Sequence, residues 1–295
     1  MARREAVWAL LVATAGATLA IPVNGWAQGV DARTGVTIFE VGKIVSNATI
    51  FSSRSGAGQE TDELRNVTSF SYSPFHDMVI GGTMPVVYKR RERAGRVEEA
   101  VGPGDLILLG KYRFFKHDAF RGSVQFSTFG GVELPTGFTD QKDGGNRLPP
   151  ALQPGLGAVN GIFGLANTTI LGRSALNGSV FYKLNTEGAQ DFEAGDLFVL
   201  DVSVSHRVYQ APFPGPELGI GLGLTAEFAG RSELNGVDQR NSGGTVLFAT
   251  PFLFYRPIPQ VDVSLAGQVP VAQDLNGEQP EFDFRVIFGV SYQFF

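Results

Sequence analysis

Between residues 217 and 228 the chain alternates: Leu218, Ile220, Leu222, Leu224, Ala226 and Phe228 take every second position, with Glu217, Gly219, Gly221, Gly223, Thr225 and Glu227 between them. Successive side chains of an extended strand point to opposite faces, so this stretch has one apolar face and one small or polar face. Comparable segments recur at 42–53, 64–73, 77–88, 103–116, 121–134, 157–171, 174–186, 194–208, 244–256, 259–268 and 281–295. The pattern predicts an all-β chain of about twelve strands, ten and fourteen being the neighbouring even numbers.

One alternating strand suits a soluble sandwich equally well, so the connections decide. Links at 73–76, 116–120, 172–173, 209–216 and 257–258 are short, and those at 54–63, 89–102, 135–156, 187–193, 230–243 and 269–280 are longer. Long and short links in alternation predict a closed antiparallel transmembrane β-barrel, with long extracellular loops, short periplasmic turns and both termini on the periplasmic side. Closure has a physical cause: in hydrocarbon every backbone N–H and C=O must find a partner, and a sheet does this only without edges. A strand of about 11 residues, rising ~3.3 Å each and tilted ~45°, crosses the apolar band of about 25 Å.

Composition agrees with that reading. Charged residues are 18% of the chain, against roughly 25% in soluble domains, and Gly (38) and Phe (24) are abundant. A formal charge of -5 offers no basic surface for nucleic acid. The absence of cysteine removes disulfides, thiolate metal sites, a thiol nucleophile and a lipid-modified N-terminal cysteine. At the N-terminus, Arg3 and Arg4 precede an apolar run over 6–21, then Pro22 and Gly25-Trp26-Ala27. This predicts a secretory signal peptide over 1–27 cleaved after Ala27, since a run of roughly 16 residues falls short of the ~20 needed to span a bilayer. Residues 28–295 are then a single barrel domain with a short N-terminal periplasmic segment.

The chain closes on "EFDFRVIFGVSYQFF". Alternation places Phe282, Phe284, Val286, Phe288, Val290, Tyr292 and Phe294 toward lipid, and Asp283 and Arg285 toward the lumen. Gly289, Tyr292, Phe294 and the terminal Phe295 resemble the C-terminal signal that the barrel-assembly machinery reads, with Ile287 where a polar residue is usual. The phrases "GPGDLILLGKYRFF" (102–115), "GGVELPTG" (130–137), "LPPALQPGLG" (148–157) and "GDLFVLDVSVSHRVY" (195–209) are similar to the bacterial outer-membrane family of transporters linked to the MetA pathway of phenol degradation. The resemblance covers most of the mature chain and implies the outer membrane of a Gram-negative bacterium, with passage of small, aromatic or hydrophobic compounds. It carries no catalytic residue.

Chemistry elsewhere is sparse. His76, His117 and His206 lie far apart, the first two in expected turns, so no metal site is predicted, and no cofactor motif occurs. There is no nucleophile elbow; Ser203 and Ser205 share the lumen face while His206 points the opposite way. Gly219, Gly221 and Gly223 leave room on the lumen face for a constriction, a ligand, an inward loop or simple curvature relief. The basic run over 88–99, with Lys89, Arg90, Arg91 and Arg93, is either a solvated loop or a contact for lipopolysaccharide phosphates. Candidate lumen-lining charges are Lys111, Arg113, Glu133, Lys183, Asp201, Arg207, Glu227, Asp262, Asp283 and Arg285; both signs occur, which disfavours a single-ion filter.

The function expected is therefore a monomeric, non-enzymatic channel for passive passage of small solutes, narrowed by the Pro- and Gly-rich loop over 135–156. Its expected partners are lipid, lipopolysaccharide, the assembly machinery and the solute. The alternatives are a closed structural or adhesive barrel acting through its loops, and an outer-membrane lipid enzyme.

Overall fold

The computed structural model describes residues 42–294. The expected signal peptide, its cleavage point at Ala27 and the terminal Phe295 lie outside the described residues. The long strands are β1 (Lys43–Gly56), β2 (Gln59–Phe75), β3 (Met78–Arg93), β4 (Arg96–Pro103), β5 (Leu106–Ala119) and β6 (Gly122–Leu134). Two-residue strands β7 (Lys142–Asp143) and β8 (Asn146–Arg147) follow, then β9 (Asn160–Leu171), β10 (Ser174–Leu184), the two-residue β11 (Phe192–Glu193), β12 (Leu197–Gln210) and β13 (Glu217–Ala229). The short β14 (Glu233–Leu234) and β15 (Val237–Asp238) precede β16 (Gly244–Ile258), β17 (Val261–Leu275) and β18 (Glu281–Phe294).

Neighbours in sequence pair antiparallel around the wall. The circle closes where β1 runs beside β18, from Lys43 opposite Phe294 to Ser55 opposite Glu281, and where β2 pairs β3. β4 and β5 act as one crossing interrupted at Gly104-Asp105, because β3 pairs β5 with its first half and β4 with its second. The result is a closed antiparallel barrel of 12 strands. Each segment anticipated from alternation contains one of these crossings.

Two expected long loops are instead strand hairpins. β1 and β2 meet across Ala57-Gly58, both at positive φ (50 and 70), and β3 and β4 meet across Ala94-Gly95 (51 and 75). That is the mirror-image turn geometry that matches strand twist in two-residue hairpins. Hydrophobic alternation could not reveal these extensions, because polar strands pair there: Arg91 bonds Glu98, and Ser53 donates to Asp62 at 3.0 Å. His117 likewise falls on β5 and not in a turn.

Burial is inverted relative to a soluble domain, in which interiors are apolar. Leu218, Ile220, Leu222, Leu224 and Phe228 are exposed on the outer face, while Ser69, Ser71, Gln125, Ser127, Thr168, Asn177, Ser203, Thr225, Thr250 and Gln268 are buried. The apolar outer face is what hydrocarbon contact requires, and the polar inner face is the lumen side of such a barrel. Among the described residues no helix is long and apolar enough to cross a membrane.

One expected orientation is overturned. The β1–β18 register shifts between Ser53, opposite Phe284, and Arg54, opposite Phe282, which leaves Asp283 as an extra residue. A bulge flips every side chain beyond it. Phe282 therefore turns inward onto Phe248, 5.2 Å between ring centres, and Asp283 is exposed, accepting a hydrogen bond from Ser55 Oγ at 2.7 Å. The Gln273 side chain holds the bulge by donating to Phe282 O and accepting from Phe282 N, at 2.9 Å each.

Candidate functional site

The sequence-derived charges lie on seven strands, β5, β6, β10, β12, β13, β17 and β18, and several of them meet in pairs. Lys183 on β10 reaches Glu133 on β6 at 2.6 Å, and Asn160 on β9 donates to the same carboxylate. Arg285 on β18 lies 3.2 Å from Glu227 on β13 and donates to Gln268 Oε1 on β17 at 2.8 Å. Both pairs form within the sequence-derived set. Arg113, Asp201, Arg207 and Asp262 have partners outside it. Arg113 donates to Asp77 Oδ1, Gln125 Oε1 and His76 O. Asp201 accepts from Thr225 Oγ1 at 2.6 Å. Asp262 accepts from Arg256 Nε at 2.9 Å, and Glu217 stands 3.6 Å from Arg207 and 3.5 Å from Arg256. Lys111 is fully buried. Asp283 stands apart from all of these on the outer side of its bulge.

These clusters sit at different heights. Arg207, Glu217, Arg256 and Asp262 occupy strand ends next to the short turns, whereas Glu227 and Arg285 lie toward the loops. Between them is an apolar patch in which Phe252 and Phe254 of β16 pack with Ala48, Ala266 and Ile287. Its basis is the alternating glycines of β13. A Cβ at Gly219 would come within 2.0 Å of the Phe254 ring, and one at Gly221 within 2.1 Å of the Phe252 ring. The tips of the two phenyl rings thus cover the glycines, filling space that the sequence alone leaves open between ligand, loop and curvature. Gly223 has only ordinary contacts, with Ser203 Cβ at 3.4 Å.

At the loop end one carboxylate organises the mouth. Asp105, 4% exposed at the β4–β5 break, accepts from Gly137 N at 2.8 Å through Oδ1, and from Leu156 N at 2.6 Å and Gly157 N at 3.3 Å through Oδ2. Gly104, Gly137 and Gly155 pack so closely that a Cβ at Gly137 would meet Gly104 C at 2.6 Å. Three phrases that carried the family resemblance therefore converge here. The loop they anchor contains the β7–β8 hairpin and a 3-10 turn over Pro150–Leu152. It buries Leu148 and Leu152 against Ala100 on the inward face of β4. Lys89, also inward, donates to Ala151 O at 3.0 Å and Gln153 O at 2.8 Å. The fourth phrase repeats the device: Asp196 accepts from Asn185 N at 2.8 Å and from the Tyr182 hydroxyl. Sequence reasoning missed Asp105 because it weighed charges at mid-strand; the available signal was an aspartate after Gly-Pro-Gly at a strand start.

Lys89 is one of four basic residues read as lipopolysaccharide contacts, and it is drawn inward. Arg90 pairs Glu92 at 2.6 Å and Arg91 pairs Glu98, so the cluster is largely matched by its own hairpin. Ser203 and Ser205 are buried on the inner face, and His206 is exposed on the outer one, where its Nδ1 lies 2.9 Å from Ser174 Oγ. Ser203 and Ser205 thus lie across the wall from His206, and these three residues assemble no nucleophile–base pair. Among the described residues no group of three acidic or histidine side chains is placed to hold a metal.

Residues 58–232 match the model of the family described as "Putative MetA-pathway of phenol degradation". Among solved structures, the chain is similar to an outer membrane channel from Pseudomonas putida F1, with TM-score 0.65 and 16% identity, covering 91% of this chain and 100% of that one. It is also similar to the beta domain of the Bordetella autotransporter BrkA, with TM-score 0.53 and 10% identity over 86% of this chain and 100% of that one. At these identities the likeness is one of fold. No curated protein matches the chain.

Proposed function

Because the chain belongs to the family described as "Putative MetA-pathway of phenol degradation", we propose that it is an outer-membrane channel through which small solutes, aromatic ones included, pass without energy coupling. The observation that carries this reading is the inverted barrel, apolar outside and lined inside by buried hydroxyl, amide and charged side chains. Such a lining stabilises water and solute where a sealed structural barrel needs only side-chain packing. The loop tied down by Asp105 and Lys89 narrows the extracellular mouth, and the Phe252–Phe254 patch narrows the periplasmic half. Closure of its own sheet edges supports a monomer. Assembly through Gly289, Tyr292 and Phe294, and lipopolysaccharide contact through the outer hairpins, belong to the same proposal.

The test is conductance. Purified protein in planar bilayers is expected to give small steps, and deleting residues 139–150 is expected to enlarge them; silence of both proteins would overturn the reading. The paired interior charges favour a second reading, a closed barrel acting through its loops. On that reading the deletion leaves bilayers silent and alters surface binding instead.

A further inference from the structure

At the loop end four cations, Arg54, Arg65, Lys89 and Arg285, meet three carboxylates, Glu63, Glu227 and Asp105. Glu63 is engaged by Arg65, whose Nε donates at 2.8 Å, and Glu227 is engaged by Arg285. Lys89 is held by the loop carbonyls of Ala151 and Gln153. The charges facing Arg54 across this space are Glu63, Glu227, Arg65 and Arg285. Among the described residues no carboxylate stands within ion-pairing distance of Arg54. Its guanidinium lies instead on a ring, 3.8 Å from the centre of Phe282. Arg285 sits 5.1 Å from the same ring and 5.0 Å from that of Phe248, which meets Phe282 edge to face.

We infer that Arg54, Arg285 and Phe282, with the buried Phe248 packed behind them, form a binding site in the outer vestibule for a planar aromatic carboxylate. The chemistry follows from the two kinds of surface placed together. A guanidinium is planar, always charged, stacks on aromatic faces, and keeps its N–H edge for a bidentate carboxylate. Arg54 spends its face on Phe282 and has its edge for an incoming anion. Phe282 is half-buried and offers an edge to an arene at offset or T-shaped geometry, while Phe248, fully buried, packs edge to face behind it and fixes its ring. A ligand with both groups supplies the anion that the vestibule lacks and an aromatic surface to pack beside Phe282. Phosphate supplies only the first, and phenol at neutral pH only the second. The bulge at Asp283 builds the site, because without it Phe282 would face outward. The inference deepens the channel reading and rests on it for access from the lumen.

The experiment is saturation-transfer NMR on the full mature protein, folded in detergent, with benzoate as the probe. Phenol, cyclohexanecarboxylate and inorganic phosphate serve as comparators, and Arg54→Gln and Phe282→Leu as variants whose fold is checked by heat-modifiable migration. Benzoate is expected to bind at least tenfold more tightly than phenol or cyclohexanecarboxylate, and to lose tenfold or more in each variant. Equal binding by the Arg54→Gln protein, no benzoate binding by the parent, or displacement of benzoate by phosphate at equal concentration would each overturn the site. Potassium chloride conductance of the same preparations separates the two ideas. A conducting protein that ignores benzoate refutes this site alone, and a silent protein that binds benzoate refutes passage alone.

Discussion

The nearest atom to an added Cβ at Gly223 is 3.4 Å away, whereas at Gly219 and Gly221 the added carbon would penetrate a phenyl ring. Replacing Gly219 or Gly221 by alanine is therefore expected to destabilise the barrel by about 1–3 kcal/mol through overpacking, while Gly223→Ala is close to neutral. Urea titration followed by the heat-modifiable gel shift measures the difference, and equal midpoints for the three variants would refute the ring-on-glycine account. The alternation of these glycines with leucines was legible in the sequence, since it needs only strand periodicity. What fills the gap was not, because the rings come from Phe252 and Phe254 on the next strand. Phe282 teaches the same limit more sharply: one extra residue at Asp283 reverses a side chain that periodicity assigns to lipid. Nothing in "EFDFR" marks that insertion, since the reason lies in Gln273 of the neighbouring strand.

Strand starts and their loops are tied by single aspartates. In Asp105→Ala the N–H groups of Gly137, Leu156 and Gly157 lose their acceptor, and hydrogen bonds to a charged group are worth about 1.5–3 kcal/mol each. Release of the loop is expected before any loss of the barrel. Brief trypsin treatment should then cut at Lys142 or Arg147 in the variant and spare the parent, while the heat shift persists; equal cleavage of the two would show that Asp105 does not hold the loop. The outer hairpin of β3 and β4 behaves differently. Arg91→Ala removes one partly exposed pair with Glu98 and is expected to cost less than about 1 kcal/mol in urea, because solvent screens such pairs. At this scale the crossings were readable from sequence and the outer hairpins were not. Hydrophobic alternation stops at the edge of the apolar band, whereas β pairing continues on cross-strand charge and turn geometry.

For the whole molecule, closure governs stability. The interior is polar and its apolar clusters are small, so the circular ladder and the lipid-facing side chains hold the barrel together. β18 sits between β1 and β17 in that ladder: Gly289 faces Ala48 and Ser264, and Tyr292 faces Val45 and Val261. The strand thus has two separable roles, completing the wall and presenting Tyr292 and Phe294, which meet edge to face with ring centres 4.7 Å apart on its outer face. Removing residues 289–295 leaves the turn-end halves of β1 and β17 without partners, and each unpaired backbone group in hydrocarbon costs several kcal/mol. Such a protein is expected to fold neither in cells nor when refolded into liposomes of short-chain lipid. Replacing Tyr292 and Phe294 by alanine preserves every backbone pair and takes away the aromatic signal. That variant should refold into liposomes with a normal heat shift, yet accumulate several-fold less in the outer membrane of cells. If it fails in liposomes as well, the aromatic pair belongs to the wall's own stability; if it accumulates normally in cells, the resemblance to an assembly signal carries no function here.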